Sequence, residues 1–146
     1  MLLHAFYVIA LVLATTLVHA GCTAVVLGWL RSLAKHHWAL RSSVTRAFVL
    51  AFVVLCMSLA AYLESMLWAG FYWAVEALPT LADALYFSLV TFTTLGYGDL
   101  TLDKEWRLLA AFQAANGIII FGWTTAIIVA VAQRLFLHHS TDAKGS

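Results

Sequence analysis

The 146-residue sequence is 64% hydrophobic and only 10% charged, where a soluble domain carries about 25% charged residues. Its net charge of +1, with no dense basic patch, gives no footing for a nucleic-acid surface. The sequence also lacks the His-Glu-x-x-His, Gly-x-Ser-x-Gly and phosphate-loop patterns of common enzymes. What remains is an all-α integral membrane protein.

The first apolar run covers residues 2–30 and contains no Asp, Glu, Lys or Arg. It exceeds the ~20 residues that span a bilayer. The small residues of L-V-H-A-G (17–21) resemble a signal-peptide cleavage point. No Lys or Arg precedes the run, however, and it continues well past Ala20, so an uncleaved peripheral span over 1–30 is expected. The pairs Ala10/Ala14 and Ala24/Gly28 suit docking of this span on the second one. Cys22 and Cys56 both sit in apolar runs and read as buried free thiols.

Residues 31–46 form a basic segment with Arg31, Lys35, Arg41, Arg46, the pair His36-His37 and no acid. Such loops stay in the cytoplasm, which predicts an outside N-terminus and a cytoplasmic tail over 137–146. Its charges are irregularly spaced and lie outside an apolar run, so it is no voltage sensor. The second span is expected over 47–73. Glu64 is its one formal charge, placed in the outer third within reach of the interface. Trp29, Trp38, Trp68, Trp73 and Trp106 fall near span ends, as aromatic belts do, with Trp123 the exception. The acids Glu64, Glu76, Asp83, Asp99, Asp103 and Glu105 all fall outside, giving an acidic mouth that draws cations. The histidine pairs 36/37 and 138/139 read as interfacial anchors.

Between the second and third runs lies a shorter apolar piece, predicted as a helix over 80–93. Pro79 precedes Thr80, a good N-cap, and Asp83 completes a capping-box-like pair. The helix is too short to cross and suits a re-entrant position, with the partial negative charge of unpaired carbonyls at its inner end. T-F-T-T-L-G-Y-G-D (91–99) follows. Irregular backbone is tolerated at membrane depth only when buried in protein or lining a water-filled path. Glycines at 96 and 98 can take φ > 0, and alternating them with ordinary residues turns carbonyl oxygens to one side. Four copies around an axis would stack rings of oxygens that replace an ion's hydration shell.

The stretch T-T-L-G-Y-G-D (93–99) resembles the potassium-channel signature T-x-G-Y-G-D, and the order span, short helix, loop, span is similar to that family's pore domain. Five specified residues arise by chance on the order of a few times per ten million positions. The resemblance covers about residues 47–133 and implies a homotetramer in membrane lipid, with three transmembrane helices and a re-entrant pore helix per chain. It implies potassium bound at Thr94, Leu95, Gly96, Tyr97 and Gly98, the filter being 94–98. No cofactor beyond the permeant ion and no soluble regulatory domain is expected, and a prokaryotic inner membrane is the expected location. Filter support is implied at Thr93, Asp99, Tyr86 and Phe87. Tyr86 can donate to Asp99. Bacterial relatives often place tryptophans at 86 and 87, and Phe87 has no donor for Tyr97. Val90 stands where some members carry glutamate. Leu95 replaces the commoner valine at a position that contributes mainly its carbonyl.

The last span, predicted over 107–136, resembles the pore-lining inner helix. Gly117 falls at the hinge position, with close packing equally open, and Gly122 reads as a packing point. Ile118, Phe121 or Gly122, Thr125, Ile128 or Val129 and Ala132 share one stripe at helical spacing that would line a cavity or gate. Asn116 either faces that cavity or bonds another helix.

Overall fold

The computed structural model describes residues 2–35 and 42–136. His36, His37, Trp38, Arg41, His138, His139 and Lys144 lie outside the described residues. The chain is all-α, with four helices in the order α1 (Leu2–Ala34), α2 (Ser43–Ala74), α3 (Leu81–Phe92) and α4 (Arg107–Phe136). The three long helices are apolar and long enough to cross a bilayer, and α3 is the short fourth. At 1.5 Å per residue the shortest span is about 45 Å long, against a hydrocarbon core of about 30 Å. Phe6, Leu17, Phe48, Leu55 and Ile119 are among many large apolar side chains left exposed on these helices. This surface requires lipid or further protein around it. The chain is a multi-pass membrane protein with three candidate spans.

Local chemistry sets the helix ends. Thr80 caps α3 in extended conformation, its hydroxyl oxygen accepting from the Asp83 N–H at 3.0 Å. The same hydroxyl donates to Asp83 Oδ2 at 2.7 Å, so the carboxylate takes the side chain of the cap instead of its backbone N–H. At the end of α2 the Glu76 N–H donates to Trp73 O and the Ala77 N–H to Tyr72 O. This is a Schellman cap, with Glu76 at φ +55 where glycine is usual.

α3 sits between α2 and α4, and α1 packs along both of those long helices. One apolar cluster, built on Trp68, Tyr72, Phe92, Leu109 and Ile120, surrounds α3. A second, with Val26, Val53, Met57 and Val131, fills the opposite end of the three long helices. Trp68 is fully buried in the first cluster, so it is a core residue and no part of an interfacial belt.

Polar bonds hold these helices together. Tyr72 donates to Gln113 Oε1 at 3.0 Å, and Gln113 Nε2 donates to Ser88 Oγ at 2.6 Å. Ser88 Oγ donates to the Ser65 carbonyl at 2.6 Å. All four residues are buried, and each satisfied bond contributes about 1 kcal/mol net. Gln113 thus ties α2, α3 and α4 around the short helix.

The face that α1 buries differs from expectation. Thr15, His19, Thr23 and Val26 point inward, while Ala10, Ala24 and Gly28 are exposed. A polar stripe, not the small-residue pairs, docks this helix. Glu64 likewise does not reach an interface. It is fully buried, with Oε1 2.9 Å from His19 Nδ1. Asn116 bonds another helix, its Nδ2 donating to Thr15 Oγ1 at 2.8 Å.

Candidate functional site

The loop that follows α3 begins as a helix cap. The Thr94 N–H donates to Thr91 O and the Leu95 N–H to Val90 O, a second Schellman arrangement. Thr94 occupies its left-handed position at φ +61, a costly conformation for a β-branched residue. The Gly96 N–H also reaches Val90 O, at 3.2 Å. The Leu89, Val90 and Thr91 carbonyls are therefore occupied, Leu89 O also accepting from the Thr93 hydroxyl at 2.7 Å. The end of α3 therefore keeps only its last carbonyls, those of Phe92 and Thr93, without a hydrogen-bond partner among the described residues.

From Thr94 the backbone alternates. Thr94, Gly96 and Gly98 have φ of +61, +57 and +79, and the intervening Leu95 and Tyr97 do not share that sign. The carbonyls of Thr94, Leu95, Gly96, Tyr97 and Gly98 have no hydrogen-bond partner among the described residues. Leu95 is 55% and Tyr97 67% exposed, so this chain alone does not cover the loop. Bare carbonyls on an apolar protein at membrane depth are expensive unless an ion, water or another subunit meets them.

Behind the loop, Tyr86 donates its hydroxyl to Asp99 Oδ2 at 2.7 Å. That bond holds the Asp99 carboxyl below the usual carboxylate range and pushes the Tyr86 phenol up. Tyr86, Phe87, Val90, Gly96, Gly98 and Asp99 help line a cavity of about 110 Å³ between helix and loop. Phe87 is buried and packs edge-on against Tyr72, centroids 5.5 Å apart. It belongs to the α2–α3 packing and makes no hydrogen bond to Tyr97.

On α4, Ile118, Gly122, Thr125 and Val129 lie exposed along one face. Phe121 is turned partly inward against Phe92, centroids 5.8 Å apart, and Ile128 is half-buried. The open stripe thus runs through Gly122 and Val129 in place of Phe121 and Ile128. Thr125 satisfies its hydroxyl on the Phe121 carbonyl at 2.8 Å. Gly117 is buried against the end of α3, where an added Cβ would overlap the Phe92 carbonyl oxygen. Close approach alone accounts for this glycine. Gly122 has nothing within 4 Å of a Cβ, so it packs against nothing in its own chain.

Sequence reasoning missed His19, Thr15 and the Gln113 network. Isolated polar residues in apolar runs were the available signal, but their partners on other helices lie 23 to 105 residues away.

No solved structure matches the chain. A protein-family model described as "Ion channel" matches residues 49–134, which takes in α3, the loop, most of α2 and nearly all of α4. Covering more than half the sequence, that match shows that this chain belongs to a family of ion channels and not of enzymes.

Proposed function

We propose that the protein is a potassium-selective channel, a homotetramer in which the Thr94–Gly98 carbonyls of four chains, with the Thr94 hydroxyl, form the ion path. The observation that carries this reading is the alternation of φ at Thr94, Gly96 and Gly98 together with free carbonyls over the same residues. A path that strips a cation of water needs closely spaced oxygens held by the backbone. The T-L-G-Y-G-D sequence fits such a path, and the exposure of Leu95 and Tyr97 fits neighbours around an axis.

In this arrangement the exposed α4 face bearing Ile118, Gly122, Thr125 and Val129 borders the cavity below the filter, and Asp99 stands behind the outer mouth. The basic segment 31–46 sets the N-terminus and the loop outside and the C-terminus in the cytoplasm. No charged array along a span serves as voltage sensor.

The experiment is potassium flux from liposomes holding the wild type or Gly96→Ala. At φ +57 an L side chain costs roughly 1–2 kcal/mol, so the added methyl group should deform the loop and abolish flux while the tetramer persists. Unchanged flux refutes the assignment of residues 94–98.

A further inference from the structure

α1 lies wholly outside the part of the chain that the family match covers, yet it is bonded to both helices that flank the short helix and loop. Its buried stripe is Thr15, His19 and Thr23. Polar side chains inside a membrane are costly and are kept where they do something.

His19 is the junction of that stripe. Its ring is fully buried and its two nitrogens serve different helices. Nδ1 is 2.9 Å from Glu64 Oε1 on α2, and Nε2 is 3.4 Å from Thr124 Oγ1 on α4. The indole of Trp123 meets the imidazole edge-on, centroids 5.0 Å apart. Eight positions earlier on α4, Asn116 bonds Thr15. The two α1–α4 bonds therefore straddle Gly117 and Gly122, so α1 holds this segment of α4 at both ends.

The pair is not fully satisfied. Among the described residues, buried Glu64 Oε2 has no hydrogen-bond partner, and neither has Thr23 Oγ1 one turn along α1. Cys22 on α1, Cys56, Tyr62 and Tyr72 on α2 are the other ionisable side chains in the middle of these helices, and none bonds to the pair. α4 has no ionisable group between Arg107 and Arg134, and α3 offers only Asp83 and Tyr86. Asp83 pairs with Thr80 and Tyr86 with Asp99. Among the described residues, no charged side chain bonds to His19 or Glu64 besides the two themselves.

We propose that His19, Glu64 and Thr124 form a proton-binding coupling site through which the N-terminal helix controls the position of α4. The inference rests on α4 lining the pore. One proton shared by the pair leaves it with zero net charge, the form that an apolar surrounding favours. A second proton leaves it positive, and loss of the shared proton leaves it negative. Either charge needs water, which it gains only if α1 separates from α2 and α4. By linkage, the packed arrangement is favoured at intermediate pH and loosens on both the acid and the alkaline side. Loosening releases α4 across residues 116–124 and changes conduction.

The test is potassium and sodium flux from liposomes as a function of pH for wild type, Glu64→Gln, His19→Gln and Thr124→Val. The amide of Glu64→Gln keeps a hydrogen bond to His19 but cannot carry the proton. Wild-type flux should change with pH by at least about fivefold, the low end of usual coupling between sites. Glu64→Gln and His19→Gln should flatten the profile and Thr124→Val should shift it, with the potassium-to-sodium ratio unchanged. Superimposable profiles in all four proteins overturn the proposal. Retained pH differences with no ion selectivity would strike the potassium reading and leave this one standing. If the substitutions at 19 or 64 prevent assembly, Thr124→Val still decides, because it keeps the pair. In ¹⁵N-histidine NMR spectra of the full protein it should move the His19 ring resonances, and unmoved resonances contradict the coupling.

Discussion

Gly117 of α4 lies against the Phe92 carbonyl group at the end of α3, so that a Cβ on residue 117 would overlap the oxygen and come within 2.9 Å of the carbonyl carbon. The short helix is thereby seated on α4 at the point where its last hydrogen-bonded turn passes into the loop. Backbone, unlike a flexible side chain, cannot swing aside. Gly117→Ala should destabilise the fold by about 1–3 kcal/mol, as overpacking does. Gly122→Ala, at an open position in the helix, should cost nothing and stabilise by up to about 1 kcal/mol. Thermal unfolding of the two variants in detergent makes the comparison, and equal shifts would contradict the packing role of Gly117.

Gln113 is the shared partner of Tyr72 and Ser88. Replacing it with leucine keeps the size but strands the buried Tyr72 hydroxyl, at about 1–3 kcal/mol, and removes the bond to Ser88, which still donates to the Ser65 carbonyl. Gln113→Leu should therefore cost more than Thr80→Ala, which removes one helix cap worth about 1 kcal/mol. Denaturation midpoints measure the order, and the reverse order would show that the network contributes little.

Glu76 holds a left-handed cap conformation at φ +55. Glycine takes that conformation without the side-chain clash. Glu76→Gly should raise stability by about 1 kcal/mol, readable as a higher Tm. A lower Tm would mean that the Glu76 side chain makes a contact of greater value in the assembled protein.

The Tyr86–Asp99 bond sets a pH window. Asp99 is held below the usual carboxylate range by the Tyr86 hydroxyl. The bond therefore persists through that range and is lost as pH falls through the lowered Asp99 value. It is also lost at high pH, as Tyr86 deprotonates above the ordinary tyrosine range. Tyr86→Phe removes the donor, so Asp99 should protonate at a higher pH. Flux in Tyr86→Phe should begin to fall at a less acidic external pH than in wild type, and identical acid limbs would remove Tyr86 from filter support.

The spans, the short helix and the loop were legible in the sequence because each rests on local rules. Run length marks a span, Thr80 with Asp83 marks a helix start, and Gly96 with Gly98 marks left-handed backbone. Residues whose role depends on a distant partner were not legible. Glu64 reads as interfacial when its depth is judged along one helix, whereas His19, 45 residues away, buries it. The small-residue pairs of α1 obey a packing rule that the Thr15–His19–Thr23 stripe overrides with specific bonds. Thr94 could not be foreseen at positive φ, since only its place at the end of α3 demands that conformation. On α4, a period of 3.6 defines a stripe but not its edge, which is why Phe121 and Ile128 give way to Gly122 and Val129.

The proposed potassium selectivity would depend on the Thr94–Gly98 oxygens meeting a dehydrated ion. The wild-type protein reconstituted in liposomes, with potassium and sodium fluxes measured under equal gradients, tests this in one comparison. Potassium flux should far exceed sodium flux. Equal fluxes would contradict selectivity, and absence of both would contradict conduction.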